Sequence, residues 1–160
     1  MSPYFPEYIE RLTENMPVHM FCLTVEGGGY PYHSLFVRNG LKLSEYDGLW
    51  DGYISGEHED DTAVRLAMMR IRYPAGLAER ADSIYRKYLR AHLRQAMLIS
   101  IEERDLIGLQ ELSSESGVTA EDLSAALCRT RELSMTEATA VLLEKRSCLS
   151  PHSAGNRYDL

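Results

Sequence analysis

The chain has 160 residues, 44% hydrophobic and 26% charged, with 24 acids against 17 bases for a net charge of −7. That composition suits one folded domain, or a small domain with a helical extension, and excludes a disordered or collagen-like chain. The three cysteines (Cys22, Cys128, Cys148) fit neither a disulfide framework nor a zinc motif. The N-terminus lacks a basic, apolar leader, and no apolar run approaches the ~18 residues needed to cross a bilayer. The expectation is a cytoplasmic protein with reduced thiols and no membrane partner.

In chain order, residues 3–15 (PYFPEYIERLTEN) predict a short helix with Tyr8, Ile9 and Leu12 on its apolar face, ended by Pro17. Residues 18–25 (VHMFCLTV) are β-branched and aromatic and predict a strand. EGGGYP at 26–31 predicts a loop. Residues 32–37 (YHSLFV) predict a second strand, Arg38-Asn39-Gly40 a hairpin turn, and residues 41–43 a short third strand. The segment 44–61 has Gly48, Gly52 and Gly56 every four residues and predicts a loop.

Beyond it the period becomes helical. Residues 62–72 place Val64, Ala67, Met68 and Ile71 on one face, and Tyr73-Pro74 ends the helix. Residues 77–99 predict one long helix, with Leu77, Ile84, Tyr88, Ala91 and Leu98 on one stripe and Arg86, Arg90 and Arg94 on another. Further helices are expected over 101–113, from Thr119 as N-cap to about 131, and over 135–145, followed by a polar tail. The fold class this predicts is α+β: a small N-terminal antiparallel β-sheet packed with a mainly α-helical C-terminal half. The expected organisation is residues 1–60, a helical region at 61–148 and a tail at 149–160, forming one compact unit.

Charge is unevenly distributed. SEYDGLWDGYISGEHEDD, residues 44–61, carries seven acids and no Lys or Arg, and without it 17 acids face 17 bases. The stretch 62–95 is basic, with eight Lys or Arg against Glu79 and Asp82. Tyr46, Trp50 and Tyr53 punctuate the acidic segment. Trp and Tyr anchor protein interfaces, and carboxylates around them steer a basic partner. The expected partner-binding site is therefore Tyr46, Asp47, Trp50, Asp51, Tyr53, Glu57, Glu59 and Asp60. The function this implies is a non-catalytic interaction protein, in its sharper form an inhibitor of a nucleic-acid enzyme. Small acidic anti-CRISPR and antirestriction proteins act by that chemistry, setting carboxylates where phosphates would sit.

Two other functions compete. Arg80, Arg86, Arg90 and Arg94 on an Arg-rich helix over 78–94 would suit a nucleic-acid-binding regulator. Cys22 and His33, on adjacent expected strands, would suit a small Cys/His enzyme. A metal is not expected, because the acids at 57–61 run consecutively instead of alternating as calcium ligands do; Asp60 and Asp61 read as charges at a helix start. The Gly27-Gly28-Gly29 loop lacks the Lys-Ser/Thr and following helix of a phosphate loop. No cofactor is implied.

Residues 96–118 and 126–148 share a pattern at an offset of about 30, an apolar pair, a polar stretch and an apolar helix. TEATAVLLEK at 136–145 resembles the second helix of an ankyrin-type hairpin, and the segment from Asp105 to Leu112 resembles it less closely. The resemblance spans about a third of the chain, without the TPLHxA signature, and implies a protein-binding module without catalysis.

Overall fold

The computed structural model describes residues 6–7, 9–15, 20–26, 29–37, 40–41, 43–56 and 58–149, with residues 9–15, 20–26, 33, 36–37 and 40–41 described by backbone alone. The chain divides into two compact units, with the boundary between Leu89 and Arg90.

The first unit begins with two strands, β1 (Ile9–Asn15) and β2 (Met20–Glu26), paired antiparallel with Asn15 opposite Met20 and Ile9 opposite Glu26. A one-turn helix follows, α1 (Tyr30–His33), with Pro31 in its first turn. Two-residue segments β3 (Phe36–Val37) and β4 (Gly40–Leu41) pair with each other. From Leu43 to Leu149 every regular element is a helix: α2 (Leu43–Gly48), α3 (Trp50–Ser55), α4 (Asp60–Arg72), α5 (Glu79–Ala91), α6 (Leu93–Glu102), α7 (Leu106–Leu112), α8 (Ala120–Glu132) and α9 (Thr136–Leu149).

The α+β expectation is corrected: the fold is mainly helical. The backbone ladders are isolated two-stranded ribbons, which form no sheet layer of their own. Three local expectations change with it. The helix expected over 3–15 is extended backbone from Ile9 to Asn15. Tyr32, expected on a strand, lies in α1. The acidic segment, expected as loop or irregular turns, is helical in α2, α3 and the first turn of α4, while Gly56, His58 and Glu59 between α3 and α4 are not helical. The physical reason lies in its spacing. Tyr46, Trp50 and Tyr53, three and four residues apart, share one helical face, and burying that face outweighs the weak helix propensity of Gly48 and Gly52.

In α4 the acids Asp60 and Asp61 occupy the first turn and Arg70 and Arg72 the last, each complementing the helix dipole. Its N-cap, Glu59, makes no side-chain cap bond. Pro74 prevents continuation, and Gly76, at φ +65, turns the chain toward α5. The single helix expected over 77–99 is divided at His92, whose backbone leaves the helical region.

The second unit is two helical hairpins. α6 packs on α7 and on α8, and α9 packs on α8 and on α7. Its core is aliphatic, including Leu93, Ala96, Met97, Leu109, Leu112, Leu123, Leu127 and Leu142. Thr119 caps α8 in a reciprocal box: its hydroxyl accepts from Asp122 N, while Asp122 Oδ2 accepts from Thr119 N at 3.1 Å.

Candidate interaction surface

Tyr46, Trp50 and Tyr53 are 0%, 4% and 8% exposed. They form the inward stripe of α2 and α3. Tyr32 meets Tyr46 edge-on at 4.8 Å between ring centroids and Tyr53 at 5.7 Å. Trp50 meets Tyr85 at 4.8 Å and Tyr88 at 5.0 Å, also edge-on. Offset and edge-to-face pairs of this kind add to the burial of the rings themselves. The aromatic part of the expected binding site is thus in the core of the first unit, and the exposed residues of the same segment include Glu45, Asp51, Glu59, Asp60 and Asp61 beside serines and glycines.

The side chain of Asp47 is buried as well. Its carboxylate takes both forks of the Arg70 guanidinium, Nε to Oδ1 at 2.6 Å and Nη2 to Oδ2 at 2.8 Å, and Tyr85 Oη donates to Oδ1 at 2.9 Å. Arg70 is 0% exposed, and the Asp47 side chain 7%. The remaining guanidinium donors reach the carbonyls of Tyr73, at 2.7 Å, and Ala75, at 3.3 Å, so the turn after α4 is held from beneath. The bond to Asp47 raises the Arg70 pKa still further and outweighs its burial. Burial, then the Asp47 charge, raises that of the Tyr85 phenol, which stays a donor.

The other expected contact residues lie outside. Asp51, Glu59 and Asp60 are exposed, as is Asp61 beside them, and Glu57 lies outside the described residues. His58 is tucked in, with Nδ1 3.1 Å from Gly56 O, Nε2 3.6 Å from Asp60 Oδ1 and its ring 5.5 Å from that of Tyr53. Among the described residues no three His, Cys, Asp or Glu side chains converge as metal ligands.

The arginines of the competing nucleic-acid reading mostly meet carboxylates. Arg86 Nε donates to Asp82 at 2.8 Å, Arg90 Nε to Glu115 at 3.3 Å, and Arg94 Nε to Asp122 at 2.8 Å. Arg80 is exposed. The side chains of Cys22 and His33 lie outside the described residues. Cys128 and Cys148 are exposed free thiols. Among the described residues no helix is long and apolar enough to cross a membrane.

Arg70 and Tyr85 are the residues that sequence reading overlooked. A signal existed for Arg70: it continues the stripe Ala63, Leu66, Ala67 at spacings of three and four, where a lone arginine needs a buried anion. No family model, curated protein or solved structure matches the chain, so the ankyrin resemblance rests on the hairpin pattern alone.

Proposed function

We propose that the protein is a non-catalytic, cytoplasmic interaction protein that presents the carboxylates of Asp51, Glu59 and Asp60 to a basic partner. Tyr46, Asp47, Trp50 and Tyr53 hold that surface in place from inside. In its sharper form the partner is a nucleic-acid enzyme, with the carboxylates occupying a phosphate path. The observation that carries the reading is an asymmetry of charge. Residues 44–61 hold seven acids and no Lys or Arg, and Asp51, Glu59 and Asp60 among them stand exposed, while the rings of Tyr46, Trp50 and Tyr53 in the same segment are buried. Such fixed charge steers an oppositely charged partner and weakens with salt.

The test is capture of a partner from the source cell's lysate, at low and high salt, by the wild-type protein and by Asp51→Lys combined with Glu59→Lys. Both positions are exposed, so the change removes no buried side chain, and the melting temperature of the variant is measured beside its capture. A protein captured at low salt, released at high salt and missed by the reversed variant supports the reading. Equal capture by both overturns it, and recovery of nucleic acid alone transfers the function to Arg80 and its neighbours.

A further inference from the structure

We propose that residues 93–112 and 123–142 are two copies of one helix–turn–helix unit, offset by 30 residues, in which equivalent positions do the same job. The turns coincide bond by bond. Arg104 and Ser134, 30 apart, are the described non-glycine residues with positive φ, at 57 and 54. Asp105 N donates to Ser100 O at 2.8 Å, and Met135 N to Thr130 O at 2.8 Å. The next helices open with Leu109 N to Asp105 O and Thr139 N to Met135 O, both at 3.0 Å. Burial follows the same register: Ala96 with Ala126, Met97 with Leu127, Leu112 with Leu142.

The two copies differ at one buried hydroxyl. Ser100 Oγ is buried without a hydrogen-bond partner. Its counterpart Thr130 Oγ1 is satisfied, donating to Leu127 O at 3.0 Å and lying 3.0 Å from Thr139 Oγ1. Where the second copy has Thr139 the first has Leu109, so the second hydroxyl of the pair is missing. Conversely, Asp105 caps α7 by accepting from Gly108 N at 3.0 Å, while the equivalent Met135 has no oxygen to offer α9.

The outward stripes of the two copies differ in their partners. The α6 stripe Arg94, Leu98, Glu102 is tied to α8 by Arg94 to Asp122 and by Arg129 to Glu102. The same stripe on α8 is Ser124, Cys128, Glu132, all exposed among the described residues.

Transplanting residues between copies is the experiment. Met135→Asp places the α7 cap on α9 and should raise Tm by about 2–4 °C. Ser100→Thr combined with Leu109→Thr rebuilds the Thr130–Thr139 pair, and the double variant should be more stable than the sum of its single changes. A fall in Tm for Met135→Asp, or strict additivity at 100 and 109, overturns the proposal. If the Leu109 change prevents folding, Met135→Asp decides alone.

Discussion

Asp47 and Arg70, 23 residues apart, meet in a two-pronged ion pair at 2.6 and 2.8 Å, with side chains 7% and 0% exposed. The pair joins α2 to α4, and Tyr85 brings in α5. Two charges taken out of water return little net stability while paired, but either one alone is expensive. Arg70→Leu should therefore destabilise the protein by about 3–5 kcal/mol in urea unfolding, because the Asp47 side chain is left buried without its partner. Asp47→Leu with Arg70→Leu should be milder than the sum of the single changes. A loss below about 1 kcal/mol for Arg70→Leu would show that the pair is wetter than its geometry implies.

Trp50 and Asp51 are neighbours with opposite fates, one in the core and one in water. Trp50→Ala should cost about 3–5 kcal/mol, while Asp51→Lys should stay within about 0.5 kcal/mol. Trp50 is the single tryptophan, so its emission reports directly on this core. The native protein should emit to the blue and shift red on unfolding. Red emission from the native state would place Trp50 at the surface and return it to the binding site.

The acid limb of stability should depend on Asp122. Burial pushes its carboxyl up, but the Thr119 hydroxyl and backbone N–H and the Arg94 guanidinium outweigh it, and the folded pKa lies below the ordinary 3.8. A group depressed in the folded state adds stability above its unfolded pKa and loses it as pH falls through the folded one. Asp122→Asn should thus reduce stability at pH 7 and flatten the decline below about pH 4. Thr119→Ala should cost about 1 kcal/mol by opening the capping box. An unchanged acid limb in Asp122→Asn would assign the titration elsewhere.

Parts of the helical half were legible because their signals are local, although the helix expected over 101–113 is the end of α6, a turn at 103–105 and α7. Thr119 with an acid three residues on marks a cap, Pro74 marks a stop, and the 3.6-residue period of 62–72 needs no distant partner. The acidic segment misled because two signals competed. Glycines every fourth residue read as loop, while aromatics at three and four read as one helical face, and the rings won by burial. Their direction was the harder matter: an amphipathic stripe of Tyr and Trp looks alike whether it faces a core or a partner. Only the rings of Tyr32 and Tyr85, distant in sequence, decide it. Asp47 was hidden in the same way, since its partner lies 23 residues on.

Two glycines of that region should respond oppositely to the same change. A Cβ on Gly29 would collide with Pro6 O and lie 2.8 Å from Glu7 O, both backbone atoms that no rotamer can move aside. Gly29 N also donates to Glu7 O at 3.2 Å, so the close approach is part of how residues 6–7 are held. Gly52 sits inside α3, and a Cβ added there would meet nothing within 4 Å. Gly29→Ala should therefore destabilise by about 2 kcal/mol or more through steric displacement. Gly52→Ala should stabilise by about 0.5–1 kcal/mol, because alanine loses less backbone entropy in a helix. Urea unfolding of both variants, followed by Trp50 emission, checks the pair. A destabilising Gly52→Ala would mean that α3 is not helical in solution, and the acidic segment would then be the loop that its glycines suggest.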